Sequence, residues 1–154
     1  MFEKILVPID GSTHSLRAVE IAIQIAKKFH GKITLIHVYS AGIAPIEMPE
    51  PSRMAGSIPI LAPVDYSKVI EAMKKAGNKI LEESAKKVEA EEVKVEKLLV
   101  EGHVVEKIIK TASEGDFDLI VIGPRGLSKI KQMILGSVSD GVIHHAHCPV
   151  LVTK

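Results

Sequence analysis

The sequence predicts an α/β fold: a single doubly wound, five-stranded parallel sheet with helices on both faces. Three observations point there. The chain has 154 residues, close to the share of one domain at about 150 residues each. A chain of that length buries roughly 70% of the surface its unfolded form exposes, so it folds without a disulfide or metal staple. Short β-branched runs alternate with longer stretches of helical period, the pattern of βαβ units building a parallel sheet. Several of the short runs are almost continuously apolar, as strands covered on both faces are.

The strands are read at residues 5–9, 32–39, 93–100, 119–123 and 150–153. The second and third alternate more in polarity, which places them nearer an edge. After the first strand, Leu16, Val19, Ile23 and Ala26 recur at spacings of 3 and 4 and make one apolar helix face. Val69, Met73, Ala76, Ile80 and Val88 make another, with one longer gap. A third helix covers about residues 103–112, with Val105, Ile108 and Ala112 facing in, and a fourth begins near Ser137 with Val142 and Ala146 inward. Residues 40–64 break the rhythm. They hold five of the eight prolines, Gly42, Gly56 and one basic residue, Arg53, and so form no regular element. An insert of this kind is either a tolerated surface loop or a lid or partner-docking segment beside the ligand edge of the sheet.

Composition excludes several classes. The 20 basic and 19 acidic residues leave a charge of +1, and neither sign gathers into a tail, which argues against nucleic acid and anionic membranes as partners. The lone Cys148 excludes an internal disulfide framework and fits a reducing compartment. No apolar run is long enough to span a membrane and the first residues do not read as a signal peptide, so the expectation is a soluble, cytoplasmic protein.

The chemistry concentrates in Gly123-Pro-Arg-Gly-Leu-Ser-Lys-Ile-Lys-Gln-Met-Ile-Leu-Gly-Ser, directly after an apolar strand. Glycine lets backbone N–H groups approach an anion with no Cβ in the way, and a helix starting at Ser137 aims its unpaired amides and positive dipole end at that anion. Strand, gap and helix in this order describe a phosphate cradle, with Ser137 suited to the N-cap. It is neither a Walker A loop nor the Rossmann glycine fingerprint. The first strand ends in Pro8-Ile9-Asp10-Gly11-Ser12, at a place where doubly wound sheets bind ligands. Asp10 there can accept hydrogen bonds from a base amino group or a ribose hydroxyl, or help hold a metal. Asp10 or Ser12 can equally cap the first helix, Ser12 being the better suited of the two.

With these segments and the ending His147-Cys-Pro-Val-Leu-Val, the sequence resembles the universal stress protein family over its whole length. The pattern Gly123-x2-Gly126-x9-Gly136-Ser137 is similar to the motif of that family's ATP-binding branch, which a second branch lacks. The resemblance implies an adenine-nucleotide-binding domain with strand order 3-2-1-4-5, and a homodimer paired through the last strand. The expected ligand is ATP, with any Mg or Mn held mainly by the phosphates, and the expected function is a stress-response regulatory module whose nucleotide occupancy sets the position of the residue 40–64 loop or of the dimer, which an unidentified protein partner reads. Carried over by position, Pro8 and Asp10 flank adenine and ribose, Val38 contacts the base, and Ile122 and Gly123 line the ribose. Gly126, Gly136, Ser137 and Val138 meet the phosphates, with Ser139 a weaker contact. Pro124 departs from the small polar residues or His common there and removes a backbone donor. Arg125, Lys129 and Lys131 reach toward the outer phosphates or are simply solvated.

His144, His145, His147 and Cys148 are close in sequence, but one helix end cannot aim all four at one point and no second ligand pair exists elsewhere. Histidines in a last turn favour the negative end of the helix dipole, and Pro149 stops the helix. His14 lies just inside the first helix, beside the expected site. A slow ATPase or nucleotide-dependent transferase is the alternative to a binding module. No general base pairs with a nucleophile, and Asp-Gly-Ser-Thr-His-Ser stands where ATP-pyrophosphatases carry Ser-Gly-Gly-x-Asp-Ser. A receiver or flavodoxin-like domain shares the strand pattern, but a receiver carries paired acids at the end of its first strand, where this chain offers Asp10 alone.

Overall fold

Ile5, Leu6 and Val7 are wholly buried, the condition of a strand covered on both faces. They form the centre of β1 (Lys4–Pro8) in a computed structural model that describes residues 1–40, 65–126 and 135–154. The other elements are α1 (Thr13–Phe29), β2 (Lys32–Tyr39), α2 (Tyr66–Glu89), β3 (Val95–Glu101), α3 (Val104–Glu114), β4 (Leu119–Ile122), α4 (Ser137–His145) and β5 (Val150–Val152). The five strands pair in parallel in the order β3-β2-β1-β4-β5. This is the order that the resemblance implied.

Alternate residues of each inner strand feed two cores. On one face Ile5, Val7, Ile33, Leu35 and Val121 meet Ala18, Val19, Ala22, Ile23 and Ala26 of α1 and Leu81, Ala85 and Val88 of α2. On the other, Leu6, Ile36, Ile120 and Ile122 meet Ile108 and Ala112 of α3 and Val142 of α4. The chain leaves β1 toward β2 on one side and returns through β4 on the other. The carboxyl ends of β1 and β4 therefore flank the switch point of the sheet.

Local sequence explains the helix ends. The Ser12 hydroxyl accepts from the Ser15 N–H at 3.1 Å and caps α1, while Lys27 and Lys28 sit in its last turn, where cations complement the dipole. Asp65 caps α2, and its hydrogen bond from the Ser67 hydroxyl holds the carboxyl below its ordinary range.

β3 is the edge strand and β2 lies beside it, as their mixed polarity predicts. Part of the polarity of β2 is His37, whose ring Nδ1 lies 2.8 Å from the Ile9 carbonyl. Three expectations are corrected. The stripe Val69, Met73, Ala76, Ile80 and Val88 is fully buried only at Val88. Val69 and Met73 remain 38% and 37% exposed, and full burial begins at Gly77. A helical period marks a face without saying how far along the helix the sheet reaches. Ser137 is not the N-cap of α4. Gly136 is, with extended backbone and no side-chain cap and with its N–H donating to the Pro124 carbonyl at 2.7 Å, while the helix itself starts at Ser137 as read. Leu16 is only half-buried, its place in the core being taken by Ala18 and Ala22.

Residues 41–64, the bulk of the proline-rich insert, lie outside the described residues. Among the described residues no helix is long and apolar enough to cross a membrane.

Candidate functional site

β1, β2 and β4 end around a cavity of about 420 Å³, within the range of small-molecule sites. The end of β1 contributes Pro8, Ile9 and Asp10, β2 contributes Ile36 and Val38, and β4 contributes Ile122 followed by Gly123. Val104 and Ile108 of α3 close one side. Arg125 and Gly126 lie beyond β4, and Leu135, Gly136, Ser137, Val138 and Ser139 bring the start of α4 to the other side. The ten residues assigned by position to base, ribose and phosphates, Pro8, Asp10, Val38, Ile122, Gly123, Gly126, Gly136, Ser137, Val138 and Ser139, thus line one cavity. Lys129 and Lys131 lie outside the described residues.

The cavity has an apolar part and a polar part. Ile36, Val38, Val104, Ile108 and Ile122 present hydrocarbon. Asp10, Arg125 and the first turn of α4 present charge and amides. By position, the N–H groups of Ser137, Val138 and Ser139 have no acceptor within their own helix, and together with the dipole they favour an anion.

Asp10 is held in place. Its Oδ1 accepts from the Ser12 N–H at 3.0 Å, and its own N–H donates to the Ser15 hydroxyl at 3.4 Å. Its other oxygen faces Gly126 so closely that a Cβ added to that glycine would collide with Oδ2. The glycines therefore do their work differently from the sequence argument. At Gly126 the absent Cβ makes room for Asp10, and at Gly136 a Cβ would press on the Pro124 carbonyl at 3.3 Å and the Arg125 Cα at 3.4 Å. Gly123 serves packing: a Cβ there would lie 2.9 Å from the carbonyl carbon of His14. His14 thus meets the site region through its backbone behind Gly123, and its side chain is not among the cavity-lining groups.

The histidine-rich end of α4 is occupied locally. The Nδ1 atoms of His144 and His145 lie 2.9 and 2.8 Å from the carbonyls of Asp140 and Gly141. Burial, with Asp118 nearby, pushes the Cys148 thiol above its usual range. Among the described residues no three His, Cys, Asp or Glu groups converge as a metal site would require.

The family model for the universal stress proteins matches residues 1–154. The chain belongs to the universal stress protein family. Universal stress protein YxiE of Bacillus subtilis is 34% identical over 155 residues, all of both chains being covered. Universal stress protein UspA from Lactobacillus plantarum superposes with a TM-score of 0.80 at 24% identity, covering 99% of this chain and 98% of that one, a likeness of fold. A universal stress protein solved in complex with cAMP superposes with a TM-score of 0.65 at 29% identity, covering 99% and 96%.

Sequence reasoning missed Ile9, Ser15, Ile36, Val104, Ile108 and Leu135 as cavity residues. Ile9 and Leu135 adjoin motif residues and were legible by proximity. Ser15 was signalled by its place one turn past Asp10. The α3 pair carried no local signal, because only the packing of α3 over the strand ends brings it there.

Proposed function

We propose that this universal stress protein is an adenine-nucleotide-binding regulatory module with ATP as its ligand, and that nucleotide occupancy is the state a partner protein reads. The observation that carries the reading is the division of one cavity at the sheet's switch point. An apolar chamber suited to a purine adjoins the open N-terminus of α4, suited to phosphate. Pro8 and Val38 border the base, Asp10 accepts from a base amino group or a ribose hydroxyl, and Ile122 and Gly123 line the sugar. Gly126, Gly136, Ser137 and Val138 meet the phosphates, with Ser139 beside them. A divalent cation, Mg or Mn, is held mainly by the phosphate oxygens. The relative solved with cAMP supports an adenine ligand in this fold.

Binding rather than turnover is what these groups do. Backbone amides that grip ground-state phosphates do not by themselves activate water, and among the described lining residues the only carboxylate is Asp10, tied to the Ser12 amide. Titration calorimetry should give one ATP site per chain and much weaker GTP binding. Equal affinity for both, or none for ATP, overturns the reading.

The same reading includes a homodimer through β5. Leu151 on that strand is 38% exposed, and β5 pairs with β4 on one side only among the described strands. An apolar edge of this kind is normally paired or covered. Light scattering at micromolar concentration should give twice the 16.7 kDa chain mass. A monomer with and without ATP contradicts the dimer.

A further inference from the structure

Three polar contacts converge where the segment after β4 rejoins α4. The Pro124 carbonyl accepts the Gly136 N–H at 2.7 Å. It also faces the Ser139 hydroxyl at 2.8 Å, and that hydroxyl lies 2.9 Å from the Gly136 carbonyl. Ser139 is 3% exposed. A hydroxyl has a single hydrogen to donate, and here it is shared between two carbonyls, so none is left for a phosphate oxygen.

We infer that the Ser139 side chain is a positioning group: its buried hydroxyl clasps the two ends of the 124–136 segment and so sets the first turn of α4, without that hydroxyl touching nucleotide. The inference rests on the nucleotide reading only for its effect on ligand affinity. Closing a loop costs chain entropy, and contacts between its ends offset that cost. Pro124 contributes its carbonyl, which accepts from both the Gly136 N–H and the Ser139 hydroxyl. Gly136 belongs to the same device: a Cβ there would stand 3.3 Å from the Pro124 carbonyl oxygen and 3.8 Å from the Ser139 hydroxyl, tightening against the clasp. Phosphate binding at α4 needs the amides of Ser137 and Val138 held in register, whereas the apolar chamber formed by β2, β4 and α3 is built from other elements. Loss of the clasp therefore weakens a phosphorylated ligand and spares a bare nucleoside.

The test compares Ser139→Ala, Ser139→Cys and Ser139→Thr with the wild type. Hydrogen exchange is measured without ligand, and calorimetry is run with ATP and with adenosine. For Ser139→Ala, faster exchange of the Gly136 amide is expected, with ATP weakened about tenfold, the scale of one hydrogen bond, and adenosine within about twofold. Ser139→Cys, nearer in size and a weaker donor, should show the same pattern more mildly, and it covers the case in which alanine disturbs folding. Ser139→Thr keeps the hydroxyl and should restore both readouts. Unchanged Gly136 exchange in Ser139→Ala overturns the clasp, including when ATP is weakened, since that combination marks a direct phosphate contact. Equal weakening of ATP and adenosine also overturns it, marking a general packing role. If the wild type binds neither ligand, the nucleotide reading fails, and Gly136 exchange alone decides the clasp.

Discussion

Gly126→Val is expected to weaken ATP binding at least a hundredfold, a change of about 2.7 kcal/mol or more, with the fold intact. Even a methyl at this position collides with Asp10 Oδ2. Asp10 cannot swing away at no cost, because its Oδ1 accepts the Ser12 amide that begins α1. The valine must displace either the carboxylate proposed to bind the ribose or base, or the Gly126 backbone proposed to meet phosphate. Gly126 itself is exposed and beyond the end of β4, away from both cores. The melting temperature should therefore stay within about 2 °C of wild type, less than about 1 kcal/mol. The mechanism has its own check in Gly126→Ala placed in wild type and in Asp10→Ala. If the collision with Asp10 is the cause, the alanine costs much less affinity once the carboxylate is gone, a non-additivity expected of touching groups. Wild-type affinity in Gly126→Val contradicts the proposed site.

The largest expected stability effect lies on the opposite face of the sheet. Gly77→Val should destabilise the protein by about 3 kcal/mol, the cost of overpacking a tight contact. Thermal unfolding should show a fall of roughly 6–12 °C. Gly77 is where α2 comes down onto β2 and β3. A Cβ there would stand 2.6 Å from Leu99 Cδ1 and 2.7 Å from His37 Cδ2. The His37 ring has little freedom to yield, since its Nδ1 is bound to the Ile9 carbonyl. Valine adds two further methyls in a helix that already disfavours β-branched residues. Gly77→Ala is expected to be milder, because the gain in helix propensity of about 1 kcal/mol offsets part of the clash. An unchanged melting temperature in Gly77→Val contradicts the close packing.

These two glycines also mark what a sequence can and cannot say. Gly126 was legible, because it belongs to a spaced motif on the chemically active side of a strand. Its structural partner, Asp10, was named independently as a ligand group, yet nothing in the one-dimensional order showed that the two touch. Gly77 drew no notice, since a glycine inside an apolar helical stretch reads as a weakness until the facing strands are known. The strand spans agree with the observed ones to within two residues because doubly buried strands leave nearly unbroken apolar runs such as Leu119–Ile122. The stripe at Val69 and Met73 failed for the converse reason: helical period records which side is apolar, while burial depends on what covers it. At the start of α4 the helix begins at Ser137 as read, but the cap falls on Gly136, whose N–H is bound to the Pro124 carbonyl, although Ser137 has the better capping chemistry. Val104 and Ile108 show the largest gap. Each was legible or nearly so as part of an apolar helix face, whereas their place on the cavity wall follows from tertiary packing.

Native mass spectrometry of the purified protein with added ATP tests most directly whether an adenine nucleotide occupies the cavity between β1, β4 and α4. Each chain is expected to carry one ATP-sized mass increment, and Gly126→Val is expected to carry none. No increment at millimolar ATP, or a tightly held flavin in its place, contradicts the account.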